Sequence, residues 1–234
     1  MAKRIRRIFF DSGKVLVYPV SGDWLVPAQL ADRQAELGFS SLRLGLNRMR
    51  AGAFLDHNHL VLTEDAEYEQ FLEYYRILFD GIPALESGNF ASVCAQARVR
   101  DYSTVCFYPD VVGAMARLKT EYRLGIISDA WPSIFGMYRT NGLHAAFDPF
   151  IVSSMHGATK AQRTLFDVAL SSIEEEPSEC LFVDDSIANC RIAAEKGMQV
   201  VVMCRGGVPM KKWNLPAVRD LTELEELLVE REQA

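Results

Sequence analysis

Short, nearly continuous apolar runs and longer stretches of helical spacing divide this chain into two kinds of territory. Arg7–Phe10 with Val15–Val17, Leu124–Ile127, Phe150–Ser153, Cys180–Val183 and Val200–Met203 are rich in Ile, Val and Phe. Runs this short, without polar alternation, predict strands covered on both faces. Val111–Lys119, Lys160–Ser172, Ser186–Lys196 and Leu221–Glu230 carry apolar positions at helical spacing instead. Strand and helix alternating from residue 101 onward predict βαβ units, hence a parallel sheet with helices on its faces. Residues 18–100 differ, because Trp24–Leu37, Ser40–Met49, Glu64–Leu78 and Ala84–Ala97 have helical periodicity with no convincing strand among them. The expected architecture is α/β: a doubly wound parallel sheet from residues 1–17 and 101–234, with a helical cap domain of residues 18–100 inserted after the first strand. Open parallel sheets bind ligands outside the carboxyl ends of their strands, and an insertion leaving and re-entering there would lie over that site.

Composition narrows the class. The 234 residues are 49% hydrophobic and 24% charged, which excludes a disordered chain. Lys plus Arg number 25 against 31 Asp plus Glu, a net charge of −6. Nucleic-acid affinity is carried by clustered cations, so no nucleic-acid partner is expected. No apolar run approaches the ~18 residues of a membrane span, and no membrane partner is expected either. The basic start (Lys3, Arg4, Arg6, Arg7) is followed by an apolar stretch that Asp11 cuts short of a signal-peptide core. The five cysteines, Cys94, Cys106, Cys180, Cys190 and Cys204, are scattered and never form a C-x-x-C pair. They read as reduced thiols, and a cytoplasmic location is expected.

The residues that end the strands carry the chemistry. The first run ends in Asp11-Ser12-Gly13-Lys14, the second in Ser128-Asp129, and the fourth in Asp184-Asp185-Ser186 with Asn189 shortly after; Lys160 opens the helix after the third. Singly, an Asp after a strand is a turn residue or helix cap, Ser128 an N-cap, and Lys160 a surface cation. Together they put an acid, a hydroxyl, an amine and an acid pair at the same end of successive strands, which coincidence explains poorly.

With these motifs the whole chain resembles the haloacid dehalogenase-like hydrolase superfamily. Asp11-x-Gly13-x-Val15, Ser128 after a strand, Lys160 and Asp184-Asp185-x-x-x-Asn189 match in order and spacing, and Asn141-Gly142-Leu143, Phe147-Asp148 and Ser153 resemble the family's link between its second and third motifs. Receiver domains use similar groups in a different order. The resemblance implies a nucleophilic Asp11 that forms an aspartyl-phosphate, a role open to carboxylates. Nucleophile and phosphate are both anionic, so a divalent cation must bridge them, and hard oxygen ligands select Mg²⁺. By the same resemblance, Asp11, Asp185 and the Gly13 carbonyl would ligate Mg²⁺, with Asp184 as a further ligand or one step behind. Ser128 and Lys160 would act in catalysis and, with Asp129 and Lys14, hold the phosphorylated substrate; Asn189 would orient Asp185 or Lys160.

Two positions depart from the family. Its phosphatases usually place a second Asp, the general acid and base, where this chain has Gly13, and the following position, usually Gly, is Lys14. The expected activity is Mg²⁺-dependent hydrolysis of small phosphorylated metabolites. The alternatives are a metal-free 2-haloacid dehalogenase, against which the Asp184-Asp185 pair argues, and a catalytically weak or non-catalytic phospho-ligand binder. Minor signals are read plainly. Asp56-His57-Asn58-His59 is a polar loop, Gly206-Gly207 a turn, and Glu64-Asp65-Ala66-Glu67 a solvated helix start favoured by the helix dipole. Tyr18 and Trp24 are candidates to shape the substrate entrance, and Trp131 either lines the cleft or packs between helix and sheet.

Overall fold

In the computed structural model, which describes residues 3–37, 42–207 and 214–233, the chain begins with β1 (Arg7–Phe10), buried along its whole length. A tight turn leads to β2 (Val17–Pro19) and then to a run of helices: α1 (Ala28–Leu37), α2 (Leu42–His57), α3 (Glu64–Phe79), α4 (Pro83–Glu86) and α5 (Phe90–Arg100). After β3 (Val105–Phe107) follow α6 (Val111–Leu118), β4 (Arg123–Ser128), α7 (Ser133–Thr140), β5 (Phe150–Val152), α8 (Thr164–Ser171), β6 (Cys180–Asp184), α9 (Ile187–Glu195), β7 (Gln199–Met203), β8 (Ala217–Val218) and α10 (Leu221–Gln233). No helix among the described residues is long and apolar enough to cross a membrane.

Six strands form one parallel sheet in the order β5-β4-β1-β6-β7-β8. Phe9 sits opposite Gly125 on one side and Phe182 on the other; Phe10 sits opposite Ile126 and Val183. Central strands of a parallel sheet are covered on both faces, which is why β1 and β6 show no polar alternation. Gly125 makes room in this core, since a Cβ there would lie 2.6 Å from the Phe9 ring.

The chain divides into two compact units. The first comprises Met1–Tyr18, Phe107–Ala130 and Tyr138–Ala234 and contains the sheet. The second comprises Pro19–Cys106 and Trp131–Met137. It thus runs past the expected residue 100 and takes in the start of α7, because Trp131 packs among the helical unit's own core residues. That core is built on α3, whose Phe71, Tyr74, Tyr75, Leu78 and Phe79 are buried with Leu30, Leu55 and Cys94. Thr63 starts α3 by accepting the amide of Ala66 at 3.1 Å, a favourable N-cap.

Several sequence expectations are corrected. Val15–Val17 does not extend the first strand. The amides of Leu16 and Val17 fold back onto the Ser12 carbonyl at 2.8 and 3.0 Å, and β2 pairs with β3 in a separate two-stranded sheet. Re-entry after residue 100 therefore adds no strand to the main sheet before β4. The helix expected over Lys160–Ser172 is a 3₁₀ turn at Lys160–Gln162 followed by α8, with Arg163 at φ 72 between them. The one expected over Ala84–Ala97 breaks into α4 and α5 where Gly88 takes φ 67. Ser40 lies outside the described residues. All five cysteines are free.

Arg7, grouped by sequence with a basic N-terminus, is 5% exposed. Its Nε lies 3.1 Å from the Glu175 carboxylate, itself buried, and its guanidinium stands 5.8 Å from the Phe9 ring centre. Burial pushes the Glu175 carboxyl up, but the hydrogen bond from Arg7 and the charges of Arg7 and Arg123 outweigh it and hold the group below its ordinary value of 4.5. A depressed carboxyl contributes stability above its unfolded pKa and loses it as pH falls through the lower folded value. Glu175→Ala, which strands the Arg7 charge, is expected to cost about 3 kcal/mol in urea unfolding at pH 7. Glu175→Gln should flatten the acid limb of a Tm–pH profile; an unchanged limb would show that the pair carries no linkage.

Candidate active site

Strand register sets the geometry. Because Phe10 is level with Ile126 and Val183, the next positions bring Asp11 beside the ends of β4 and β6, and the Asp11 amide donates to the Val183 carbonyl at 2.9 Å. Ser128 is the last residue of β4 and Asp184 the last of β6. Ser128 Oγ donates to Asp11 Oδ1 at 2.8 Å. Lys160 reaches the same place from its 3₁₀ turn, with Nζ 2.9 Å from Asp11 Oδ1 and 2.7 Å from Asp184 Oδ2. Asp184 also accepts the Ser186 amide at 2.7 Å and the Asn189 side-chain amide at 3.1 Å. Asp184 is 0% and Lys160 2% exposed, so the ion pair stands in low dielectric.

The charges explain one another. Burial raises the Asp11 carboxyl; Lys160 opposes this and the Asp184 charge adds to it. Burial would lower the Lys160 ammonium, but Asp11 and Asp184 more than reverse that, and the lysine stays charged. Asp185, partly buried, is raised by burial and by Asp184 against the pull of Lys14 and Lys160. One carboxylate oxygen each from Asp11, Asp184 and Asp185 lies within 4.8 Å of the others. That is an all-oxygen donor set for a hard divalent cation, whose charge would offset the burial and the Asp184 repulsion that raise Asp185.

Asp11, Ser128, Lys160, Asp184 and Asp185, named from the sequence, therefore come together. The other named residues do different work. The Asp129 carboxylate, expected among the phosphate-binding groups, accepts the backbone amide of Lys160 at 2.9 Å and so clamps the turn that carries the lysine. Asn189 bonds Asp184, neither of the two partners expected for it. Gly13 sits in the turn after β1, bridged to Val17, with Lys14 next to it at φ 58. The exposed Lys14 ammonium lies 3.7 Å from Asp185 Oδ2. Tyr138, unremarked in the sequence, is fully buried with its hydroxyl 2.9 Å from Ser12 Oγ. Among the described residues the acid trio is the metal-competent group, and His57 contacts the Ala53 carbonyl at the end of α2.

A family model described as haloacid dehalogenase-like hydrolase matches residues 35–197. No curated protein matches the sequence. Among solved structures, the chain is similar to 2-haloacid dehalogenase from Pseudomonas syringae pv. Tomato DC3000, with a TM-score of 0.67 and 21% identity over 97% of this chain and 99% of that one. The magnesium-bound putative HAD-hydrolase YfnB from Bacillus subtilis gives 0.64 and 14% identity over 97% and 99%. A HAD phosphatase from Thermococcus onnurineus gives 0.61 and 21% over 96% and 98%. At these identities the likeness is one of fold.

The ion pair makes a stability prediction independent of any reaction. Lys160→Met leaves two buried carboxylates without their cation and should cost about 3–5 kcal/mol in urea unfolding. Asn189→Ala removes one hydrogen bond of several to Asp184 and should cost about 1 kcal/mol. Equal losses would show that Lys160 is not the centre of the cluster.

Proposed function

The chain belongs to the haloacid dehalogenase-like hydrolases, and on that footing we propose that it hydrolyses small phosphomonoesters with Mg²⁺ through an aspartyl-phosphate on Asp11. The observation that carries this reading is the third carboxylate. Asp11 and Asp184 already share one ammonium, and Asp185 adds a further negative charge within 4.8 Å of both. Attack on the carbon of a haloacid has no use for that charge, whereas a divalent cation between nucleophile and phosphate requires it.

Asp11, Asp184, Asp185 and the Gly13 carbonyl would hold Mg²⁺, which when bound supplies positive charge to the phosphoryl oxygens. Lys160 opposes the burial that raises the Asp11 carboxyl and so favours the ionised form that attacks. Ser128 Oγ, now on Asp11, is placed to turn its proton toward a phosphoryl oxygen as the Asp11–phosphorus bond forms and the ester P–O bond breaks. Water then cleaves the acyl phosphate and regenerates Asp11. Gly13 offers no carboxyl to protonate the departing oxygen. Phosphoryl transfer depends mainly on positioning and electrostatics, so turnover survives this loss but becomes sensitive to the leaving group.

Asp11→Asn should keep the fold and lower turnover of an aryl phosphate by at least ~10³-fold. Beryllofluoride should form its covalent mimic on the wild type and not on that variant. Asp185→Ala should remove the Mg²⁺ response with the activity. Full activity on 2-haloacids in excess chelator would replace this reading with the dehalogenase one, and tight phosphate binding without turnover would replace it with the non-catalytic phospho-ligand binder. Across a leaving-group series the wild type should cleave aryl phosphates much faster than primary alkyl phosphates, with Gly13→Asp narrowing the gap. A flat series would mean that another residue protonates the leaving group.

A further inference from the structure

Helix α3 presents Glu64, Glu67 and Gln70 along one stripe, and all three are engaged by the segment that directly follows the Ser128 loop or by its neighbour. Glu67, expected in a solvated helix start, is 0% exposed. Its two oxygens accept the amide and the hydroxyl of Ser133, each at 2.7 Å, so Glu67 seals the N-terminus of α7. Gln70 accepts the Trp131 indole N–H at 2.7 Å. Glu64 accepts the Tyr102 hydroxyl at 3.0 Å, and that hydroxyl fills the space a Cβ on Gly136 would need. Behind Glu67, the Arg98 guanidinium lies 3.5 Å from its carboxylate and 4.6 Å from the Phe71 ring centre.

The preceding residues are held just as firmly. Ala130 donates its amide to Ser153 Oγ at 2.9 Å and accepts the Ser154 amide at 3.2 Å, while Asp129 accepts the Lys160 amide. Between Ala130 and Ser133 stand only Trp131 and Pro132, and proline fixes its own φ. A shift of Ser133 therefore has almost no slack in which to dissipate before it reaches Ala130 and Ser128. A buried carboxylate is also an expensive helix cap, since Ser, Thr or Asn at an N-terminus would satisfy the same amides more cheaply.

We infer that Glu67 is a positioning residue, setting the Ser128–Asp129–Ala130 loop through Ser133 and the two-residue link between them. The inference concerns loop geometry and does not depend on which substrate the site takes; only its kinetic consequence rests on the phosphatase reading.

The test compares Glu67→Gln and Ser133→Ala with Glu69→Gln, an exposed position on the same helix, by amide hydrogen exchange resolved to Ala130. Glu67→Gln and Ser133→Ala should each speed exchange at Ala130 by about tenfold, with strands β1 and β6 unaffected and Glu69→Gln silent. On an aryl phosphate, Glu67→Gln should lower kcat by about tenfold while KM stays within about twofold. Faster exchange confined to α3 and α5, with Ala130 unchanged in both variants, would reduce Glu67 to a structural part of the helical unit and overturn the inference. A wild type without phosphatase turnover would count against the proposed function alone, because the exchange measurement stands without it.

Discussion

Everything at the strand ends depends on one ammonium held between two buried carboxylates. Asp11, directly after β1, and Asp184, the last residue of β6, are brought together by the register of those strands, and unpaired they would repel strongly in low dielectric. Lys160 sits within 3 Å of both, its backbone tied to Asp129, so the charges arrive in fixed relation before any ligand does. Apolar residues of similar volume would fill such a place at no loss of stability. Keeping the ions preserves preorganised charge at the strand ends, the arrangement that the proposed chemistry needs.

The sheet was legible because its strands are short, apolar and covered on both faces, a pattern few other structures share. The acids, serine and lysine at their ends were legible for a related reason: polar groups that interrupt such runs must be placed by the fold. Glu67 was not. An acid in the first turn of a helix looks alike whether it faces water or a distant amide, and its partner Ser133 lies far along the chain. Asn189 was half legible. Its position on α9 put it near the acid pair, but the sequence does not say which acid it meets, and its side-chain amide donates to Asp184. The contact that Asp129 makes was equally hidden, since nothing in the sequence pairs its carboxylate with the Lys160 amide.

Lys14 shows how the turn after β1 accommodates a side chain. Lys14 takes a left-handed conformation that glycine adopts freely and that costs a side-chain-bearing residue about 1 kcal/mol. The partner the structure gives it is Asp185, whose charge its ammonium partly offsets from an exposed position. Such a pair is weak, so its contribution is to the local potential more than to the fold.

The placement of Trp131 makes the molecule its own optical gauge. The indole is half-buried, bonded through its N–H to Gln70, 5.3 Å from the Phe71 ring centre and 5.7 Å from the Arg98 guanidinium. Indole emission responds to solvent access and to nearby cations, and here both are set by the same side chains that hold the start of α7. The chain has three tryptophans; with Trp24 and Trp213 replaced by phenylalanine, the remaining emission would come from a residue directly after Ala130. Rearrangements of the segment that follows Ser128 could then be timed in solution by colour alone, without a label and without turnover.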